Sequence, residues 1–245
     1  MQNHPYFIKA KPVVLAHRGF TPPVENTLGA FQHGLGAGAD YLETDVRATA
    51  DGIAVLVHDA DLVRLTGSKK RISELTHDEL KGQIEVATLL DALEKFPMAK
   101  FNLDIKADDA IRPTVQAIEF AKAHERVLVS SFSNKRRTSA IALLTKPVAT
   151  SASGSIVFRA WLMNLFGIKL DGLLAEIGAL QIPIGSYGMR FDRKRFIKSV
   201  SDTGTLIHFW TINDESEMRR LVALGAHGIV TDKTDLAVKT LKKSK

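Results

Sequence analysis

Cysteine is absent from the 245 residues. Disulfides, thiolate zinc sites and cysteine nucleophiles are thereby excluded, and any metal must be held by oxygen or imidazole. No stretch approaches the ~20 uninterrupted apolar residues of a membrane span. The opening MQNHPYFIKAKP also lacks the apolar centre of a secretory signal, so a cytoplasmic, soluble protein is expected. Missing too is a glycine-rich turn between a first strand and its helix, which a nucleotide-binding doubly wound sheet requires. The one glycine-dense run, HGLGAGAD at residues 33–40, follows a helical pattern and precedes a strand-like one. That order suits a helix cap and turn at Gly34, Gly36 and Gly38 rather than a phosphate loop. With no linker, low-complexity tract or internal repeat, a single domain over residues 1–245 is the expectation.

What is present is a chain that is 45% hydrophobic and 24% charged, with a net charge of +6. This composition belongs to a folded, enzyme-sized body. The basic clusters SKKR, NKRR, DRKR and LKKSK are scattered and carry no interleaved aromatics, so they read as solvated faces and no nucleic-acid partner is expected. One densely apolar stretch, SIVFRAWLMNLFGIKL at residues 155–170, carries only Arg159 and Lys169 as charges. It reads as a buried helix or as a helix lying on a membrane surface.

Short β-rich runs alternate with helical patterns along the chain. PVVLAH, DYLETDV, KFNLDIK, RVLVSSF, GALQIPI, TLIHFWTI and GIVTD read as strands, and the weaker PVAT at 147–150 supplies an eighth. Helical patterns cover 25–36, 109–124, 134–144, 193–201 and 215–224. Eight β/α units in this length make a (β/α)8 TIM barrel. After the second strand, Asp51-Gly52 resembles a tight turn and 53–58 a further extended run, predicting a hairpin that returns His58 toward the strand's end.

Alternation along strands puts side chains two apart on one face. Glu43 and Asp45 in YLETDV share a face, as do Asp104 and Lys106 in FNLDIK and His208 and Trp210 in HFWTIN. Helices cover the outside of such a barrel, so the carboxylates must line its interior. Three gathered carboxylates repel one another and resist desolvation, and Lys106 by itself cannot balance them. A hard divalent cation, Mg²⁺ or Ca²⁺, is the natural remedy. His17, Arg18 and His58 add proton-exchanging imidazoles and a guanidinium suited to phosphate oxygens. Together these groups make a site for phosphoryl chemistry on an anion, and the first strand ends in two cationic residues because it ends at the barrel rim.

The pieces HRGF…ENTLGAF, GADYLETDVRATADGIAVLVHDADLVRLTG, FNLDIK, SSFS and HFWTINDESEMRRLVALGAHGIVTD, in this order across nearly the whole chain, resemble the glycerophosphodiester phosphodiesterase family. The resemblance implies metal-dependent hydrolysis of glycerophosphodiesters, small-molecule substrates, to glycerol 3-phosphate and an alcohol at the top face of the barrel. It makes His17 and His58 the general acid and base, Glu43, Asp45 and Asp104 the metal ligands, and places Arg18 and Lys106 on the phosphate. The substrate's own glycerol hydroxyl would attack phosphorus first, giving a cyclic phosphate that water opens. Two departures bear on substrate preference. Asp104 stands where glutamate is more common, one methylene shorter, and the compact segment between His58 and Asp104 leaves little room for the extra small domain that some relatives insert there.

Other readings remain open beside this one. The chemistry could act on lysophospholipids, with residues 155–170 as a lipid-side lip in peripheral membrane contact, or the chain could be a catalytically silent anion-binding barrel. Trp210 is placed either to wall the glycerol pocket or to fill the core, and Phe132 to line the pocket. Asn26 or Thr27 opens the first helix as its cap, and the serines of VSSFSN turn the chain into the next helix. His33 and His124 sit late in helical patterns, where a cation complements the dipole. His77 and His227 have no chemical company, and His208 lies deeper on its strand as a structural residue.

Overall fold

The structure is a computed structural model that describes residues 3–8, 12–20 and 25–242. The first half runs β1 (Val13–Ala16), α1 (Leu28–Gly36), β2 (Tyr41–Ala48), β3 (Ala54–Leu56), α2 (Val63–Thr66), α3 (His77–Lys81), α4 (Leu89–Lys95), β4 (Phe101–Ile105) and α5 (Ile111–Phe120). It continues with β5 (Val127–Ser130), α6 (Asn134–Leu143), β6 (Ala149–Thr150), α7 (Gly154–Leu165), α8 (Asp171–Leu174) and β7 (Ala179–Ile182). The last part is β8 (Gly185–Ser186), β9 (Met189–Arg190), α9 (Lys194–Asp202), β10 (Leu206–Phe209), α10 (Glu215–Ala223), β11 (Gly228–Thr231) and α11 (Thr234–Lys242).

Eight parallel strands run in the order β6-β5-β4-β2-β1-β11-β10-β7. A parallel bridge between Ser151 and Ala179 joins the two ends of that path, and Ala152 N–H donates to Ala179 O at 2.9 Å. The (β/α)8 barrel expected from the alternation is therefore the observed architecture. β3 folds back antiparallel on β2, pairing Val46 with Leu56 and Ala48 with Ala54, as the Asp51-Gly52 turn predicts.

The barrel strands bury both faces, in different places. Leu42, Val46, Phe101, Leu103, Ile105 and Val129 point outward into one helix-side core, and Val14, Leu180, Ile207 and Ile229 into another. Val13, Leu15, Tyr41, Leu128, Ala149 and Val230 fill the lumen. Tyr6 stacks on Tyr41 with ring centroids 4.8 Å apart, plugging the lower end. With the lumen filled from below, the open space is at the upper rim, which is where barrel enzymes carry their chemistry.

Helix starts follow from local capping. Thr27 caps α1, Thr88 caps α4, Ser133 caps α6 and Asp214 caps α10, each side chain accepting a backbone N–H of the first turn. Three details differ from the sequence reading. α1 begins at Leu28 rather than at residue 25, because Asn26 sits at φ 57°, outside helical space. α5 stops at Phe120, so His124 lies in a following 3₁₀ turn, where its Nε2 is 3.1 Å from Glu119 Oε1. The β8–β9 hairpin and the short helices α2 and α3 carry too few periodic residues to announce themselves. The two prolines after Phe20 lie outside the described residues.

Candidate active site at the barrel rim

β1 delivers the first site residues and a tight turn aims them. His17 N–H donates to Thr231 O at 2.9 Å, which extends the β1–β11 ladder by one residue. Arg18 and Gly19 then adopt positive φ values of 53° and 91°, a region that costs a non-glycine residue energy unless the surroundings hold it there. The surroundings are α1. A Cβ on Gly34 would lie 2.1 Å from Gly19 O, and one on Gly19 would lie 2.6 Å from the Phe31 ring, so helix and turn touch backbone to backbone. Gly34→Ala should therefore push the turn off α1 and destabilise the chain by ~1–3 kcal/mol, read by thermal unfolding. An unchanged midpoint would show that the turn does not depend on this contact.

The carboxylates come from the next two strands. Asp45 lies beside Asp104 and Glu43 beside Asn102 in the β2–β4 register, so their inward side chains form two adjacent rungs at the strand ends. Lys106 Nζ sits between the aspartates, 2.8 Å from Asp45 Oδ1 and 2.6 Å from Asp104 Oδ2. Arg18 Nε lies 3.2 Å from Asp45 Oδ2, and Asn26 Nδ2 donates to the same oxygen at 3.2 Å. Although burial opposes it, Lys106 and Arg18 hold the Asp45 carboxyl below its ordinary pKa. Burial outweighs Lys106 at Asp104 and raises it.

Glu43 is the carboxylate left without adequate compensation. Its Oε2 accepts the Arg18 backbone N–H at 3.0 Å, while burial first and the Asp45 charge second push its pKa up to about 7. From the sequence, Lys106 by itself cannot balance three carboxylates. In the structure Lys106 and Arg18 together keep Asp45 charged, and the deficit falls on Asp104 and most of all on Glu43.

Each imidazole is backed by its own carboxylate. His17 Nδ1 is 2.6 Å from Asp232 Oδ1, and Asp232 Oδ2 accepts from Asn213 Nδ2 at 2.7 Å. His58 Nδ1 is 2.7 Å from Asp59 Oδ1, and Asp59 Oδ2 accepts from Arg64 Nε at 2.5 Å. A carboxylate can only accept, so Nδ1 carries the proton in both rings and Nε2 is the nitrogen available for exchange. His17 Nε2 stands 4.0 Å from Glu43 Oε2. Despite its burial, the bond to Asp232 and the charge of Glu43 raise the His17 pKa.

A continuous chain of charge links the two halves of the rim. Arg64 pairs with Glu25, whose other oxygen accepts from Arg18 Nη1 at 3.0 Å. His58, Asp59, Arg64, Glu25, Arg18 and Asp45 thus form an alternating network that fixes the hairpin end against the β1 turn.

His17, Arg18, Glu43, Asp45, His58, Asp104, Lys106 and Trp210, the eight residues singled out in the sequence, all line one cleft of about 550 Å³. Phe132 lines it too, meeting Trp210 edge to face at 6.1 Å. Asn26 is not the helix cap; Thr27 is, which frees Asn26 for Asp45. His208 is buried below the cleft with Gln181 Nε2 3.5 Å from its Nδ1. Ser130 and Ser131 hydroxyls donate to Leu103 O and Ile105 O, so they brace neighbouring strands. Sequence reasoning missed Glu25, Asp59, Arg64, Asn213 and Asp232. Two of these carried a signal, since Asp59 follows His58 directly and Asp232 comes directly after the last strand, where rim residues belong.

The donor set suits a hard cation in its chemistry. Asp104 Oδ1 is buried with no hydrogen-bond partner, and Glu43 resists ionisation because burial and the Asp45 charge outweigh His17 and Lys106. As the side chains stand, no group of three or more His, Asp or Glu among the described residues has the spacing of a ready ligand set. The reason is Lys106, whose ammonium already occupies the gap between Asp45 and Asp104.

An eight-stranded parallel barrel with paired, carboxylate-backed imidazoles and acidic residues at its rim is the framework of an acid–base barrel enzyme. Comparison with known proteins narrows that class. The model of the glycerophosphoryl diester phosphodiesterase family matches residues 16–236. A probable glycerophosphodiester phosphodiesterase 2 of Mycobacterium tuberculosis is 38% identical over 235 residues, covering 91% of this chain and 88% of that protein. A lysophospholipase D of Rattus norvegicus is 26% identical over 264 residues, covering 89% of this chain and 82% of that one. Among solved structures, an Oleispira antarctica phosphodiesterase in complex with the product sn-glycerol-3-phosphate superposes with a TM-score of 0.72 at 26% identity, covering 94% and 96% of the two chains. The chain belongs to the glycerophosphoryl diester phosphodiesterase family, and with that membership it is a phosphodiester hydrolase.

Proposed function

We propose that this cleft hydrolyses glycerophosphodiesters to glycerol 3-phosphate and a free alcohol, with His17 and His58 as the acid–base pair. The observation that carries the reading is that both imidazoles face one cleft with Nδ1 tied to a carboxylate, which leaves each Nε2 to take or give a proton. In the first half-reaction one imidazole takes the proton of the substrate's glycerol hydroxyl as its oxygen bonds to phosphorus. The bond from phosphorus to the departing alcohol breaks, and the other imidazole, starting protonated, gives its proton to that oxygen. The product is a cyclic phosphate and the two rings have exchanged protonation states. Attack by water with the roles reversed opens the ring and restores both.

Asp232 and Asp59 hold the ring orientations and stabilise whichever imidazole is charged. Arg18 and Lys106 would face the phosphate, Lys106 turning out of the gap it fills between Asp45 and Asp104, and Trp210 with Phe132 would wall the glycerol. Glu43, Asp45 and Asp104 would hold a divalent cation, Mg²⁺ or Ca²⁺, which when bound supplies neutralisation of phosphate charge. The experiment is release of glycerol 3-phosphate from glycerophosphocholine by the purified chain, with and without chelator. Turnover that chelator abolishes and added cation restores is expected, and absence of turnover with either cation would favour the silent barrel.

A second substrate class has its own support. Across the cleft from the charged rim the wall is apolar, built from Val157, Phe158, Ile182, Phe191 and Trp210, more apolar surface than glycerol and a small alcohol require. Lysophospholipids would place an acyl chain there. Comparing kcat/KM for acylated and water-soluble diesters distinguishes the two, and preference for the acylated diester is the result that would favour the lipid reading.

A further inference from the structure

α7 is apolar on both of its faces. Ile156, Val157 and Ala160 turn inward and join the helix-side core. On the opposite face, one and two turns apart, Phe158 is 49% exposed and Leu165 52%, with Leu162 between them. The chain then turns through Phe166, 74% exposed, and Ile168. A helix at a protein–water boundary presents polar side chains outward, and scattered single apolar residues need no explanation. Five contiguous ones on one helix and its exit turn do need one.

From the start of α7 to Leu170 the charged residues share one sign. Arg159 is the one charged residue within α7 and Lys169 follows it. Arg195 comes up beside the turn, its Nη2 3.4 Å from where a Cβ on Gly167 would lie. The next acid along the chain is Asp171, beyond the stripe. The whole chain carries a net charge of +6.

The stripe also runs into the cleft. Val157 and Phe158 line both the helix and the cleft wall, and Tyr187, at the tip of the β8–β9 hairpin and 99% exposed, lines the cleft as well. An apolar stripe bracketed by cations, with an aromatic side chain standing clear of the surface beside it, has the makeup of an interfacial helix.

We propose that the outer face of α7 and the turn through Lys169 dock on an anionic lipid bilayer, seating the cleft mouth at the headgroup level. Apolar side chains enter the acyl boundary while Arg159 and Lys169 meet the lipid phosphates. This surface is independent of which diester the cleft hydrolyses.

The test is flotation of the full chain with vesicles of phosphatidylglycerol and phosphatidylcholine, and with phosphatidylcholine alone, at low and high salt. The chain should float with the anionic vesicles and be released by salt. The double variant Leu165→Glu/Phe166→Glu should reduce vesicle-bound protein by ~10-fold or more. Neither residue lines the cleft, so hydrolysis of water-soluble glycerophosphocholine should be unchanged. A second variant, Arg159→Glu/Lys169→Glu, leaves the apolar side chains in place and should lose binding to anionic vesicles, which keeps the test decisive if the first variant fails to fold. Failure of the parent chain to float, or equal flotation of folded variants, overturns the proposal. Sedimentation as a dimer that Leu165→Glu/Phe166→Glu dissociates also overturns it and assigns the face to a second copy. Flotation without hydrolysis would leave this inference standing and reject the catalytic one.

Discussion

Alanine at His17 or at His58 should each lower turnover of glycerophosphocholine by ~10²-fold or more, with the fold intact. The two sites lie at the ends of a strand and a hairpin, neither ring belongs to an apolar cluster, and Asp232 keeps its bond to Asn213 when His17 is removed. In the proposed relay the two rings act as one unit, so the double variant should be scarcely worse than either single one. Asp232→Asn should also lower kcat while leaving the cleft open, because an amide at this position can hold His17 in the wrong tautomer. Steady-state rates together with thermal unfolding check all four variants. Activity close to that of the parent chain in either single alanine variant would remove the acid–base assignment.

Glu43→Gln should separate stability from chemistry, and the sign of its pH dependence follows from the raised pKa. The ordinary value is 4.5 and the folded chain pushes it up to about 7. Between these values the native state holds a proton that the unfolded chain has released, so stability falls as pH rises. The contribution of Glu43 is complete below 4.5 and is lost by the time pH has passed about 7. Glutamine mimics the protonated carboxyl and can still accept the Arg18 N–H. In chelator, Glu43→Gln should therefore match the parent chain near pH 4 and exceed it at pH 8 by about 2–3 kcal/mol. That difference corresponds to a midpoint ~5–10 °C higher.

Added Mg²⁺ or Ca²⁺ should reverse the order, stabilising the parent by mass action and the variant far less. Hydrolysis should be lost in the variant under every condition. Parallel melting curves for the two proteins from pH 4 to pH 8 would show that Glu43 is not the strained carboxylate. An equal response of both to added cation would move the ion elsewhere.

The site was legible in outline because its main parts obey a local rule. Glu43 and Asp45, and Asp104 and Lys106, are two residues apart on strands, so a period of two puts each pair on one face. The apolar residues alternating with them, Leu42, Val46, Leu103 and Ile105, mark the other face as covered. Asp51-Gly52 carries turn chemistry that returned His58 to the rim without any knowledge of the barrel. The positive φ at Asn26 had no such sign, since asparagine is also a good helix cap and only the Thr44 and Asp45 side chains reveal what it is for.

The alternation of β and α patterns, and the inward side of each rim residue, belong to the chain itself, because periods of two and of 3.6 are set by backbone geometry within a few residues. Which rim groups touch is another matter. His17 and Asp232 are 215 positions apart, and they meet because β11 closes beside β1. Glu25 and Arg64 join a hairpin to a turn, and Lys106 fills the gap between two aspartates through the register of β2 on β4. The apolar run at 155–170 makes the same point from the outside. Its composition is equal for a helix buried all round and for one buried on a single side, and packing against the barrel is what left Phe158, Leu165 and Phe166 facing outward.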